Sequence, residues 1–99
     1  MNTYEKIILK DGKEIQLTLN FARLLKVKND NKNIYEKYNN AILNGTKDVF
    51  DMVDIIYTAY LCANIGEEVL EYNRFIELIP ESTTLIARKV QALTSSKKK

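Results

Sequence analysis

The chain has 99 residues, enough for one domain with one small core and too few for two. It carries no histidine and a single cysteine, which takes away the commonest general base, the commonest metal ligand and any internal disulfide. The formal charge is +2, but three of the positive charges are the terminal Lys97, Lys98 and Lys99, so the body is close to neutral and offers no strong basic field to nucleic acid or to an anionic membrane.

Residues 1–20 read as a β-hairpin. Asp11-Gly12 is a hairpin-turn signal between two runs of strand-forming residues. Ile15, Leu17 and Leu19 alternate with Gln16 and Thr18, which puts the odd positions inward, and Ile7 and Leu9 are their natural mates. A two-residue turn would pair odd with even positions. A three-residue loop, Lys10-Asp11-Gly12 with Gly12 left-handed, pairs odd with odd and is the expected one. A lone hairpin is marginal in water, so its Ile7, Leu9, Ile15 and Leu17 face has to pack on helices.

Helical readings fill residues 20–93. Asn20 is placed to cap a helix with Phe21, Leu24 and Leu25 on its apolar face, ending within Lys28-Asn29-Asp30-Asn31. A second helix begins near Asn33 with Ile34, Tyr38, Ala41 and Ile42 on one face, and Asn44-Gly45 stops it. Thr46 is the expected cap of a third helix. A fourth is expected over 67–79, ended by Pro80, and Ser82 or Thr83 starts the last, which carries Leu85, Ile86, Val90 and Leu93. Residues 94–99 read as a disordered basic tail. The fold class expected is therefore α+β, mainly α: an N-terminal hairpin and about four short helices in a single domain.

The third helix, between Thr46 and Asn64, is apolar nearly all round. Val49, Met52, Val53, Ile56, Tyr60 and Ala63 form one stripe and Phe50, Ile55, Tyr57, Ala59 and Leu61 widen it. Such a helix has to be enclosed by its own chain or by a partner. In so short a chain the reading favours a partner. Phe50, Val53, Tyr57, Tyr60 and Leu61 are the expected contact residues, because tyrosine joins an apolar body to a polar tip and is enriched at interfaces.

Chemistry is hard to find. Asp48, Asp51 and Asp54 share a stripe of the third helix without convergent partners and read as a solvated face that suits the helix dipole. Gly12, Gly45 and Gly66 are isolated, so no phosphate-cradling loop is formed. Cys62 reads as a small buried hydrophobe. No catalytic, cofactor-binding or metal-binding residue is assigned, and a non-enzymatic protein is expected. Arg23, Lys26, Lys28 and Lys32 make a mildly basic patch, but interleaved acids cancel much of it and nucleic-acid binding is not expected. The N-terminus has no apolar run behind basic residues, and the acids of the third helix make it a poor membrane span, so a cytoplasmic protein without membrane contact is expected.

The order of elements resembles a family. A hairpin on Ile7-Ile8-Leu9-Lys10-Asp11-Gly12-Lys13-Glu14 is followed by the Leu19-Asn20-Phe21 entry to a helix. Then come the apolar helix around Val53-Asp54-Ile55-Ile56-Tyr57-Thr58-Ala59-Tyr60-Leu61 and a helix with Phe75-Ile76-Glu77-Leu78-Ile79-Pro80. Over roughly residues 3–93 this is similar to the tail assembly chaperones of long-tailed phages and prophages of low-GC Gram-positive bacteria. Residues 26–33 depart from that pattern in being more polar and lysine-rich.

The resemblance implies a chaperone that binds the tape measure protein and keeps it soluble while the tail tube polymerises. It would act in the bacterial host cytoplasm and be absent from the mature virion. Members are often made in two lengths by a −1 frameshift, for which consecutive lysine codons at Lys97-Lys98-Lys99 would suit. A longer form would extend the partners to the tail tube protein. Self-association into a homo-oligomer is expected through the same apolar surface. Two competing readings are a small phage protein whose helices serve only a homo-oligomer interface and a DNA-binding regulator.

Overall fold

In the computed structural model, which describes residues 4–95, the N-terminal hairpin has the register its alternation demands. Strands β1 (Tyr4–Ile8) and β2 (Glu14–Thr18) are antiparallel with Ile7 opposite Ile15 and Glu5 opposite Leu17, odd with odd. The loop is the three-residue one. The Leu9 amide donates to the Lys13 carbonyl at 2.9 Å, the Gly12 amide donates to the Leu9 carbonyl at 2.8 Å, and Gly12 has φ +89°, a conformation that glycine takes without Cβ strain. Ile7, Leu9, Ile15 and Leu17 are buried on the face turned to the helices.

Five helices follow among the described residues, one for each segment that the sequence marks as helical: α1 (Phe21–Asp30), α2 (Lys32–Asn44), α3 (Val49–Ala63), α4 (Tyr72–Leu78) and α5 (Thr83–Ser95). The α+β, mainly α class holds. Asn20 caps α1 as expected, its Oδ1 accepting from the Arg23 amide at 3.0 Å. Asn31 ends α1 and starts α2, its amide donating to the Val27 carbonyl at 2.7 Å and its carbonyl accepting from the Tyr35 amide at 3.1 Å. A single residue thus turns the chain back on itself, and α1 and α2 pack as a helical hairpin. Gly45, at φ +84°, ends α2.

Three local readings need correction. The cap of α3 is Asp48, not Thr46. Asp48 Oδ1 accepts from the Phe50 and Asp51 amides, and Asp51 Oδ2 accepts in return from the Lys47 and Asp48 amides, a reciprocal capping box. The fourth helix begins at Tyr72 rather than near residue 67. Residues 64–71 are held outside a helix by Gly66 at φ +83° and by side-chain bonds to the backbone of Leu70, described below. Finally, α5 runs through Ser95, so Thr94 and Ser95, assigned to the tail, are helical. The tail lysines Lys97, Lys98 and Lys99 lie outside the described residues.

Helix α3 is the axis of the molecule. It packs on β2, α1, α2, α4 and α5. Val53 and the whole run from Ile55 to Cys62 are buried. The other elements are fastened around it. The Arg23 guanidinium donates to the Cys62 carbonyl at 2.8 Å and so ties α1 to the C-terminal end of α3. The Lys10 amide donates to the Leu78 carbonyl at 2.7 Å, joining the hairpin loop to the end of α4, and Lys89 pairs with Glu5 at 3.4 Å, joining α5 to β1. Cys62 is enclosed as expected, and burial pushes its thiol up to about 12, so the reactive thiolate is scarce at neutral pH.

Candidate functional site

Of the five residues expected at a partner surface, only Phe50 is exposed, at 55%; Val53, Tyr57, Tyr60 and Leu61 belong to the core. Apart from Phe50, the apolar surplus read in α3 is absorbed by its own chain. The hairpin covers one side, and α1, α2, α4 and α5 close the rest. An expectation that needed partner contact through Tyr57 and Tyr60 on the free surface is overturned by their burial.

The tyrosines keep their amphipathic character but spend it internally. The Tyr57 hydroxyl donates to the Leu70 carbonyl at 2.7 Å, and the Leu70 amide donates to the Tyr60 hydroxyl at 2.9 Å. Two residues one turn apart on α3 therefore satisfy both backbone groups of one loop residue. Phe75 of α4 completes the cluster, 5.0 Å from the Tyr57 ring and 5.1 Å from the Tyr60 ring between centroids. Tyr72 donates to Asp54 Oδ1 at 2.6 Å while Lys37 sits 4.8 Å over its ring. Burial raises the Asp54 carboxyl above its ordinary range, with the Tyr72 bond and Lys37 opposing. The same burial, and its bond to Asp54, raise the Tyr72 hydroxyl. Asp54 is thus a packed group, whereas Asp48 and Asp51 cap the helix; the three acids form no common site.

Free apolar surface lies elsewhere. Phe21 is 84% exposed in the first turn of α1, and Leu25, one turn on, is 58% exposed. Both are among the apolar residues that mark this helix in the sequence. Leu24 and Val27 are the buried residues of α1, and Phe21 and Leu25 lie on the neighbouring row. On α2, Ala41 is buried, Ile42 is 40% exposed and Leu43 is 72% exposed. Between α1 and α2 runs a groove of about 300 Å³ whose rims carry Phe21, Leu25, Tyr35, Tyr38 and Ile42, with Lys28 at one end. The Tyr35 and Tyr38 rings are 5.9 Å apart, and burial pushes the Tyr38 hydroxyl up to about 12, so it remains a neutral amphipathic wall.

A second groove of about 310 Å³ opens beside the first turn of α3, between Phe50, Val53, Ile76, Ile79 and the Pro80-Glu81-Ser82 turn. Phe50 is its one exposed large apolar side chain. Glu81 on its rim is engaged with Lys10 at 2.8 Å, which holds that carboxyl below its usual range. The α1–α2 groove gathers several exposed apolar side chains and is the better candidate.

One signal in the sequence could have found it. The row Phe21, Leu25, Lys28 changes from apolar to basic within two turns, whereas the row Leu24, Val27 remains apolar. A helix with two apolar rows buries the one its neighbours can reach.

Among the described residues no group of acids or cysteine could hold a metal ion, and no helix is long and apolar enough to cross a membrane. No protein-family model matches the chain, and no curated protein or solved structure does either.

Proposed function

We propose that this chain is a tail assembly chaperone, a non-enzymatic protein that binds the tape measure protein of a phage or prophage through the apolar groove between α1 and α2. The observation that carries the reading is the exposure of Phe21 and Leu25 beside a groove whose opposite wall adds Ile42, a gathering of exposed apolar side chains that the groove beside Phe50 does not match. Exposed large side chains scattered singly need no explanation, but several around one concavity mark an interaction surface. The order of hairpin, α1, apolar α3 and α4 agrees with the resemblance described above and supports the same reading.

The physics suits a transient holder. A long helical client with an apolar stripe aggregates unless that stripe is covered, and a helix laid in an apolar groove covers it. A short groove buries little area, so each contact is weak and a polymerising tube can displace it, while many copies along one client together keep it soluble. With no client present the same surface invites a second copy, and self-association is the corollary.

The test is co-expression with the tape measure protein encoded in the same genome. The intact chain should raise the soluble yield of the client and co-purify with it. Phe21→Asp should lose both effects while its circular dichroism and melting stay native, because Phe21 contributes little to the core. A client equally soluble with and without the chaperone would end the proposal.

A further inference from the structure

The α1–α2 groove is not uniform along its length. Its open end is apolar, with Phe21, Leu25 and Ile42, and its other end, toward the Asn31 turn, carries Lys28 as the one charged side chain of the lining. Lys28 lines that end with its Nζ 5.6 Å over the Tyr35 ring, and Lys32 opens α2 just before Tyr35. Among the described residues neither lysine is in an ion pair. No acidic side chain lines the groove. The wider charge distribution is split in the same sense. Residues 21–44 hold five basic side chains against two acids, a balance of +3, whereas residues 45–95 hold four against eight, a balance of −4.

From this geometry we infer that the segment the groove takes is an amphipathic helix whose apolar stripe is followed, toward the α1–α2 turn, by one or two carboxylates. The inference rests on the chaperone reading and adds the chemistry of the bound segment. Phe21 and Lys28 are separated by two helical turns, about 10 Å along α1. A ligand helix laid along that length places two apolar anchors a turn apart over Phe21 and Leu25, and its next turn over Lys28. Covering an ammonium with an apolar side chain costs its hydration with no return, whereas a carboxylate there restores a charge partner. The Tyr35 ring face already holds the Lys28 ammonium at the groove by cation–π attraction, which fixes where that carboxylate has to arrive. The acids of this hairpin do not fill the role. Asp30 lies on another cleft with Lys26 and Leu61, and Glu36 is outside the groove lining.

Three labelled peptides of about 15–20 residues decide the matter. They share one apolar stripe and one helical propensity and differ in ending that stripe with a pair of Glu, Gln or Lys. Each is titrated by fluorescence anisotropy against the intact chain, a Lys28→Gln/Lys32→Gln variant and Phe21→Asp. At about 50 mM salt the Glu peptide should bind about fivefold more tightly than the Gln peptide and the Lys peptide least well. The Glu advantage should vanish in the double-lysine variant and shrink at higher salt.

Equal binding of the Glu and Gln peptides, with Phe21→Asp still abolishing both, would overturn the carboxylate inference and leave the client groove standing. No binding by any peptide, or binding indifferent to Phe21→Asp, would overturn the inference and the chaperone surface together. An intact chain that sediments as a dimer no peptide dissociates, while Phe21→Asp sediments as a monomer, would assign the groove to a second copy and overturn the inference as well.

Discussion

Helices α1 and α3 carry the same kind of signal, apolar residues at helical spacing with aromatic rings among them, and meet opposite fates. In α3 the rings of Tyr57 and Tyr60 are buried and their hydroxyls grip the backbone of Leu70. In α1 the ring of Phe21 stands in solvent. The most apolar helix of the chain is therefore the most completely enclosed, and a less apolar helix keeps an open face. An apolar stripe says that something has to cover it, and only the supply of neighbouring stripes says what. Around α3 the hairpin and four helices supply enough for all but Phe50; α1 has two apolar rows and its neighbours bury one of them.

The largest effect that would break this comparison comes from placing one carboxylate on each helix. Tyr57→Asp buries an unpaired charge and removes the Leu70 bond, a loss of about 3–5 kcal/mol or more. That is comparable with the whole stability of a small domain. The expected outcome is a chain without cooperative melting in circular dichroism. Phe21→Asp should change the unfolding free energy by no more than about 0.5 kcal/mol in urea while removing client binding. A folded Tyr57→Asp chain beside an unfolded Phe21→Asp chain would exchange the roles of the two helices.

A smaller effect sharpens the account of the tyrosines. Tyr57→Phe and Tyr60→Phe keep the packing against Phe75 and each delete one hydroxyl, leaving a backbone group of Leu70 without its partner. Each should cost about 1–2 kcal/mol in urea unfolding. Hydrogen exchange should accelerate through residues 64–71 with little change in α2. Exchange unaltered in that loop would mean that the hydroxyls do not hold it.

The smallest effect concerns Asp54. Burial raises its carboxyl above the ordinary 3.8, so the folded state holds this proton more tightly than the unfolded state. Its contribution to stability is complete below that value and is lost as pH rises through the folded pKa. Asp54→Asn removes the titration. The difference in urea midpoint between variant and parent should therefore move in favour of the asparagine chain as pH rises from about 4 to neutrality. A flat difference would mean that the Tyr72 bond and Lys37 cancel the burial, and one that moves the other way that they outweigh it.

Much of the fold was legible because it is set locally. Odd-with-odd pairing around Gly12, the Asn20 cap, the stop at Gly45 and the end of α4 before Pro80 follow from side-chain alternation, cap chemistry and backbone geometry within a few residues. The late start of α4 was not legible, because residues 64–71 are held by Tyr57 and Tyr60 hydroxyls from another helix. The cap of α3 was missed by two residues because Thr46 and Asp48 both suit that role, and the reciprocal bond from Asp51 favours the second.

The candidate surface divides in the same way. By itself the sequence determined that the chain forms a helical domain behind a hairpin and which of its segments are amphipathic, since both depend on spacing along the backbone. Only the tertiary structure decided that Phe50 stays outside while Val53, Tyr57, Tyr60 and Leu61 go inside, and that Phe21 and Leu25 are left uncovered. Burial belongs to pairs of faces brought together from distant parts of the chain, and each helix has more than one face to offer.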